Sequence, residues 1–128
     1  MYYWLDEELT WDEARNSCSD GNNGYLAVAN SDKQFKFLRG MYDEYIYQGG
    51  DALGAWIDGK FNNATKTWVC DSYTYVWYPD CVSDMPWSYG EPNKEDTEHC
   101  ILLWWLRSDG VANYICNARM PAVCATNR

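Results

Sequence analysis

Six cysteines constrain this chain more than any other feature of its sequence. Their number is even, no two of them form a CxxC pair, and only one histidine accompanies them. This pattern indicates disulfide bonds rather than a zinc site or a thiol catalyst. Because disulfides persist in oxidising compartments, we predict a secreted or extracellular protein. Six cysteines can pair in many ways, and their spacing alone leaves the choice open.

The length and charge of the chain narrow the class of protein further. A chain of 128 residues is long enough to bury one hydrophobic core, so we expect residues 1–128 to form a single domain. Its formal net charge of −9 argues against a nucleic-acid partner, which requires clustered positive charge. The longest apolar run, residues 101–106, is too short to cross a bilayer. We therefore predict no membrane insertion.

Two capping boxes predict two helices in the first half of the chain. Thr10 with Glu13 and Ser31 with Gln34 both match the pattern in which the first and fourth residues satisfy each other's backbone at a helix start. Apolar residues recur at helical spacing after each box, so one face of each helix should be buried. From residue 55 onward the pattern changes to short β-type runs. Helices first and strands afterwards predict an α+β fold rather than an alternating parallel sheet.

A short polar stretch carries the candidate chemistry. Glu91-Pro92-Asn93 and Glu98 place two carboxylates and a carboxamide within eight positions. Hard cations such as Ca²⁺ prefer clustered oxygen ligands of this kind. A carboxylate accepts a hydroxyl proton while a carboxamide NH₂ donates one, so Glu91 and Asn93 also offer a complementary pair to a sugar. The structural alternative is a polar loop that is hydrogen-bonded to its own backbone.

A set of segments occurs in a fixed order along the chain: Trp11-Asp12-Glu13-Ala14-Arg15 before Cys18, Leu26-Ala27, Ala55-Trp56-Ile57-Asp58-Gly59, Trp87, Gly90, Glu91-Pro92-Asn93, Glu98, Cys100, Cys116 and Cys124. In this order they resemble the C-type lectin-like domain, and the likeness runs from Tyr2 to Cys124. The resemblance implies a C-type lectin-like fold, with two helices packed on antiparallel sheets and a long calcium-binding loop region.

The resemblance also implies a disulfide pattern. In the family one bridge links the first helix to the last strand, and a second braces the long-loop region. Cys70 and Cys81 are then left, and we expect them to pair as an extra bridge of the kind found in some invertebrate members. The expected bridges are Cys18–Cys124, Cys100–Cys116 and Cys70–Cys81.

In sugar-binding members of the family, the Glu-Pro-Asn motif coordinates calcium and at the same time bonds two vicinal sugar hydroxyls, and its proline follows a cis peptide bond. The resemblance therefore implies a Ca²⁺ cofactor. It implies that Glu91, Asn93 and Glu98 are metal ligands and also carbohydrate contacts. Glucose-, mannose- and fucose-type glycans are the implied partners, rather than galactose.

The remaining calcium ligands of the family come from a Trp-Asn-Asp motif before the third family cysteine. Here the corresponding stretch reads Val111-Ala112-Asn113-Tyr114-Ile115. Aligned with or without a one-residue gap, it loses one ligand and keeps Asn113, which we expect to serve both metal and sugar. Because a lost carboxylate lowers calcium affinity, we predict weak binding. The resemblance implies Asp after the motif where a second ion binds, and Lys94 stands there instead, so we predict at most one ion. Trp105 is a further carbohydrate-binding candidate, since sugar faces stack on aromatic rings.

The function predicted from the sequence is that of a secreted, calcium-dependent, mannose-binding lectin of the innate-immunity type. We predict no enzyme, because no nucleophile with a base and an orienting group is visible. Single sugar sites bind weakly, so a homo-oligomer is one route to useful avidity. The alternative, favoured by Ala112 and Tyr114, is a lectin-like domain that has lost sugar binding and recognises a protein, mineral or ice surface.

Overall fold

The structure, a computed structural model, describes residues 2–19, 24–29, 31–50, 52–70, 86–93 and 97–126. Two helices and seven strands lie in these ranges, which confirms the predicted α+β class. In chain order the elements are β1 (Tyr2–Leu9), α1 (Trp11–Ser19), β2 (Gly24–Leu26), α2 (Asp32–Tyr47), β3 (Gly54–Asn62), β4 (Thr67–Val69), β5 (Cys100–Trp104), β6 (Arg107–Tyr114) and β7 (Met120–Thr126).

Both predicted helix starts are present. The backbone N–H of Thr10 donates to Glu13 Oε1 at 3.0 Å, and the N–H of Glu13 donates back to Thr10 Oγ1 at 3.3 Å. The bond from the Thr10 backbone favours the charged carboxylate and so holds the pKa of Glu13 below its usual value. At α2 the N–H of Gln34 donates to Ser31 Oγ at 3.1 Å. Each capping group thus satisfies a backbone N–H that the first helical turn cannot.

The described strands form one hydrogen-bonded sheet in the order β1-β7-β3-β5-β6, with β2 beside β7 and β4 beside β3. All of these pairings are antiparallel except one, because β3 and β7 run parallel where Trp56 lies opposite Ala122. The predicted antiparallel sheet thus contains one parallel pair. The parallel pairing with β3 places β7 inside the sheet, between β1 and β3.

The sheet has a hydrophobic core on each face. Successive side chains of a strand point to opposite faces, and β3 shows this directly: Ala55 and Ile57 pack in the core beneath α2, while Trp56 packs in the core beneath α1. The central strands are buried on both sides for this reason. The indole N–H of Trp11 donates to the carbonyl of Ile57 at 2.9 Å, so α1 is tied to the sheet by a buried hydrogen bond as well as by packing.

Two disulfides join these elements in the pairing that the resemblance implies. Cys18–Cys124 connects α1 to β7, and Cys100–Cys116 connects the start of β5 to the residues after β6. Cys70 is disulfide-bonded, but the predicted pairing with Cys81 lies outside the described residues. Neither α1 nor α2 is long and apolar enough to span a membrane.

Candidate ligand-binding loop

The residues predicted to bind ligand lie on a loop that runs beside β6. We call residues 86–93 together with 97–99 the ligand loop. Its first part is hydrogen-bonded to β6 through backbone groups: the N–H of Val111 donates to the carbonyl of Pro86 at 2.9 Å, and the N–H of Ser88 donates to the carbonyl of Val111 at 2.8 Å. This attachment fixes where the Glu-Pro-Asn motif begins.

The motif itself places two polar side chains next to each other. The peptide bond between Glu91 and Pro92 is cis, as the resemblance implies. The side-chain nitrogen of Asn93 donates to Glu91 Oε2 at 3.1 Å, so the carboxamide and the carboxylate lie side by side across the proline. A donor group and an acceptor group therefore lie next to each other, and binding to a pair of neighbouring sugar hydroxyls requires such a pairing.

Asp109 on β6 fixes the turn that precedes the motif. Its Oδ1 accepts a hydrogen bond from the Ser88 hydroxyl at 2.7 Å, and its Oδ2 accepts one from the backbone N–H of Tyr89 at 3.2 Å. The N–H of Glu91 then donates to the carbonyl of Ser88 at 2.9 Å and closes the turn. The Asp109 carboxylate thus serves to shape the loop.

The side chain of Asn113 on β6 is hydrogen-bonded to two separate parts of the ligand loop, at Asn93 and at Glu98. Its side chain is 3% exposed, and its carbonyl oxygen accepts from the backbone N–H of Asn93 at 3.0 Å. Its NH₂ group donates to the carbonyl of Glu98 at 2.8 Å and also to the carbonyl of Asn93. A carboxamide has one acceptor oxygen and two donor hydrogens. All three groups are engaged with loop backbone.

The structure brings four of the five predicted carbohydrate-binding residues into one region and places the fifth elsewhere. Asn93 and Glu98 contact Asn113 through their backbone groups, and the Glu91 side chain contacts that of Asn93. Trp105 is half exposed at the tip of the β5–β6 hairpin, where its backbone N–H donates to the carbonyl of Leu53 at 3.0 Å. Asn113 pairs with Ile101, near the opposite end of that hairpin, so at ~3.4 Å per residue Trp105 lies roughly 14 Å away along the strand.

Sequence reasoning did not identify Asp109 and Asn113 as residues that fasten the loop. They are four positions apart on β6, and both side chains contact the ligand loop. Asn113 directly follows the apolar pair Val111-Ala112, and a polar residue at that point is a signal that could have revealed its role.

Gly110, between these two residues, gives the ligand loop room to approach β6. A Cβ there would press on the backbone nitrogen of Ser88 and lie 2.5 Å from the carbonyl oxygen of Pro86. We expect Gly110→Ala to lower the free energy of unfolding by about 1–3 kcal/mol, because backbone must move to accommodate the methyl group. Urea unfolding would measure the loss.

Gly40 offers a control for that substitution. It lies inside α2, and a Cβ there meets no atom within 4 Å. Gly40→Ala should therefore stabilise the protein by about 0.5–1 kcal/mol, since alanine favours the helix and restricts the unfolded chain. A Gly110→Ala variant as stable as the unsubstituted protein would show that the loop does not lie against β6 as described.

Calcium, the cofactor implied by the resemblance, can be tested against these donors. The side chains of Asp109 and Asn113 are already hydrogen-bonded to groups of the ligand loop, which leaves Glu91, Asn93 and Glu98. Two carboxylates and one carboxamide supply at most about five oxygens, and Ca²⁺ takes six to eight. Within the described ranges, no group of three or more His, Cys, Asp or Glu side chains is arranged to hold a metal. The donor chemistry fits one weakly held ion whose coordination is completed by ligand hydroxyls or water.

Comparison with known proteins places the chain among proteins of this architecture. A family model described as "Lectin C-type domain" matches residues 7–126. Lithostathine of Rattus norvegicus is 25% identical over 126 residues, which is 96% of this chain and 70% of the rat protein. The structure of human lithostathine superimposes with a TM-score of 0.78 at 21% identity, covering 99% of this chain and 83% of that one.

A further similar structure is a Ca²⁺-independent C-type lectin, SPL-2, from Saxidomus purpuratus. It has a TM-score of 0.69 and 15% identity, and the match covers 96% of this chain and 83% of that one. At these identities the structural matches establish the shared fold.

Proposed function

This chain belongs to the lectin C-type domain family, and on that premise we propose that it is a secreted carbohydrate-recognition domain that binds glycans through vicinal hydroxyls at Glu91 and Asn93. The family assignment confirms the resemblance inferred from the sequence. The observation that carries the proposal is the Glu91–Asn93 pair, whose acceptor and donor are hydrogen-bonded side by side across the cis proline.

In this proposal a calcium ion would be held by Glu91, Asn93 and Glu98. When bound, the ion supplies open coordination positions for two sugar hydroxyls. The Glu91 carboxylate accepts the proton of one hydroxyl, and the Asn93 NH₂ donates to the oxygen of the neighbouring one. By the family's Glu-Pro-Asn preference, mannose-, glucose- and fucose-type glycans are the proposed ligands.

Two residues predicted from the sequence take other places in the proposal. Asn113 is assigned to the loop backbone that it contacts. Trp105, roughly 14 Å away along the strand, would contact only a glycan of several residues and remains a prediction on that condition. The domain is proposed as a binding module and not as an enzyme, since its paired carboxylates serve the ion and the sugar.

A second candidate function is glycan binding without calcium. The commitment of the Asp109 and Asn113 side chains to the loop favours it, because these contacts already shape the site. The two candidates differ in one measurable property, the response to a chelator.

Chromatography on mannose resin distinguishes these candidates. Because single sugar sites bind weakly, the biotinylated protein should be presented as a tetramer on streptavidin. We expect retention in millimolar calcium, with elution by chelator and by free mannose but not by galactose. Retention that persists in chelator would favour the second candidate. Failure to bind mannose, glucose, fucose or galactose resin with or without calcium would refute carbohydrate binding at this loop.

A further inference from the structure

The carboxamide of Asn113 is hydrogen-bonded both to Asn93 and to Glu98. Asn113 follows Asp109 on β6, and it is buried. Its oxygen receives the N–H of Asn93, while its NH₂ group reaches the carbonyls of Asn93 and Glu98. One side chain thus joins three backbone groups that come from two separate parts of the loop.

We propose that Asn113 braces the ligand loop where an ion would otherwise be needed, so that the loop keeps its ligand-binding conformation without calcium. The inference concerns the same loop as the proposed function, but it does not require sugar binding, nor calcium binding by the unsubstituted protein, to be correct. Any calcium that binds would contact the sugar and would not be needed to shape the loop.

The chemistry of the side chain at position 113 supports this assignment. The backbone carbonyls of Asn93 and Glu98 present negative partial charge to the same point. A carboxamide can satisfy both because it carries two N–H donors, whereas an ionised carboxylate is acceptor only. Aspartate at this position would face two carbonyl oxygens, and only a cation between them could relieve the repulsion. With asparagine at position 113, both carbonyls are hydrogen-bonded without a cation.

The preceding half of the loop is also fastened by protein groups. Asp109 accepts hydrogen bonds from Ser88 and Tyr89, and backbone bonds join Pro86 and Ser88 to Val111. Both halves of the loop are therefore attached to β6 by direct hydrogen bonds. A weak ion at Glu91 would add affinity for hydroxyls without being required to shape the loop.

Thermal unfolding of Asn113 variants in chelator and in 2 mM calcium tests the inference. For the unsubstituted protein we expect calcium to raise the melting temperature by at most about 2 °C, which is the linkage effect of a weak site. Asn113→Ala should melt roughly 5–10 °C lower in both conditions, because it leaves three backbone groups without their partner. Asn113→Asp should be similarly destabilised in chelator, and calcium should restore most of the loss.

Asn16→Asp is the matched control, since it introduces the same charge at an exposed position of α1. Its calcium response should equal that of the unsubstituted protein. If Asn113→Asp responds to calcium no more than this control does, or if the unsubstituted protein itself gains more than about 5 °C, the proposed brace is refuted.

Hydrogen exchange of the Asn93 amide provides a measurement on the unsubstituted protein. This N–H donates to the Asn113 side chain, so it should exchange slowly, at rates that agree within about twofold in chelator and in calcium. Fast exchange that only calcium suppresses would overturn the inference even if the variants fail to fold. Loss of glycan retention with unchanged protection of this amide would instead count against the proposed function alone.

Discussion

Simultaneous replacement of Cys18 and Cys124 by alanine is expected to lower the free energy of unfolding by about 4–5 kcal/mol, the largest stability effect that we predict for this protein. The bridge joins residues 106 positions apart, so it restricts the unfolded chain over most of its length. Both half-cystines are fully buried between α1 and β7. A domain of this size has a total stability of only about 5–15 kcal/mol, so the expected loss is between about a third and nearly all of that stability.

The Cys100–Cys116 bridge is the matched control for this effect. It spans only 16 positions, and its removal should therefore cost about 3 kcal/mol. Urea denaturation followed by tryptophan fluorescence would measure both variants under the same non-reducing conditions. An equal loss in the two variants, or a greater loss for the shorter bridge, would show that strain or packing in the folded protein outweighs the constraint on the unfolded chain.

Exchange of the two motif side chains, Glu91→Gln with Asn93→Asp, is expected to reduce mannose affinity by about 10- to 100-fold. The change preserves the net charge of the motif and its number of oxygen ligands, so a calcium ion would meet a similar set of donors. It reverses the positions of the donor and the acceptor that face the sugar hydroxyls. Preference should accordingly move from mannose toward galactose.

Competition on the resin with free mannose and free galactose would measure this shift in preference. The same pair of chemical changes placed elsewhere, Glu7→Gln with Asn16→Asp, should leave binding unaltered, because both of these side chains are exposed and remote from the loop in sequence. Melting temperatures of the two double variants should agree within about 2 °C. Unchanged mannose binding by the motif variant would place the sugar at a different surface of the domain.

Local signals in the sequence were sufficient for much of the fold. The two capping boxes identify the helix starts because the capping side chain and the backbone N–H that it accepts from lie within four residues. The Glu-Pro-Asn motif identifies the candidate loop in the same way, since its carboxylate and carboxamide are neighbours in the chain. The resemblance to the family added two disulfide pairings that spacing alone left open.

The roles of Asn113 and Trp105 depended on contacts that no local pattern specifies. Asn113 reaches backbone groups 15 and 20 positions earlier in the chain, and which groups it meets is set by how the loop lies along β6 beside Val111. Trp105 is separated from the motif because the β5–β6 register puts Asn113 near one end of the hairpin and Trp105 at the other. Because Asn113 and Trp105 are close together in the sequence, the sequence alone predicts that they share a site.

By itself, then, the sequence determined that the cysteines form disulfides, that the fold is α+β and where the candidate binding motif lies, because each depends on residue types and local patterns. Only the tertiary structure decided which polar side chains of β6 face the loop and what they bond there. The physical reason is that a hydrogen bond depends on distances of about 3 Å between groups, and for groups far apart in sequence those distances are fixed by strand register and packing.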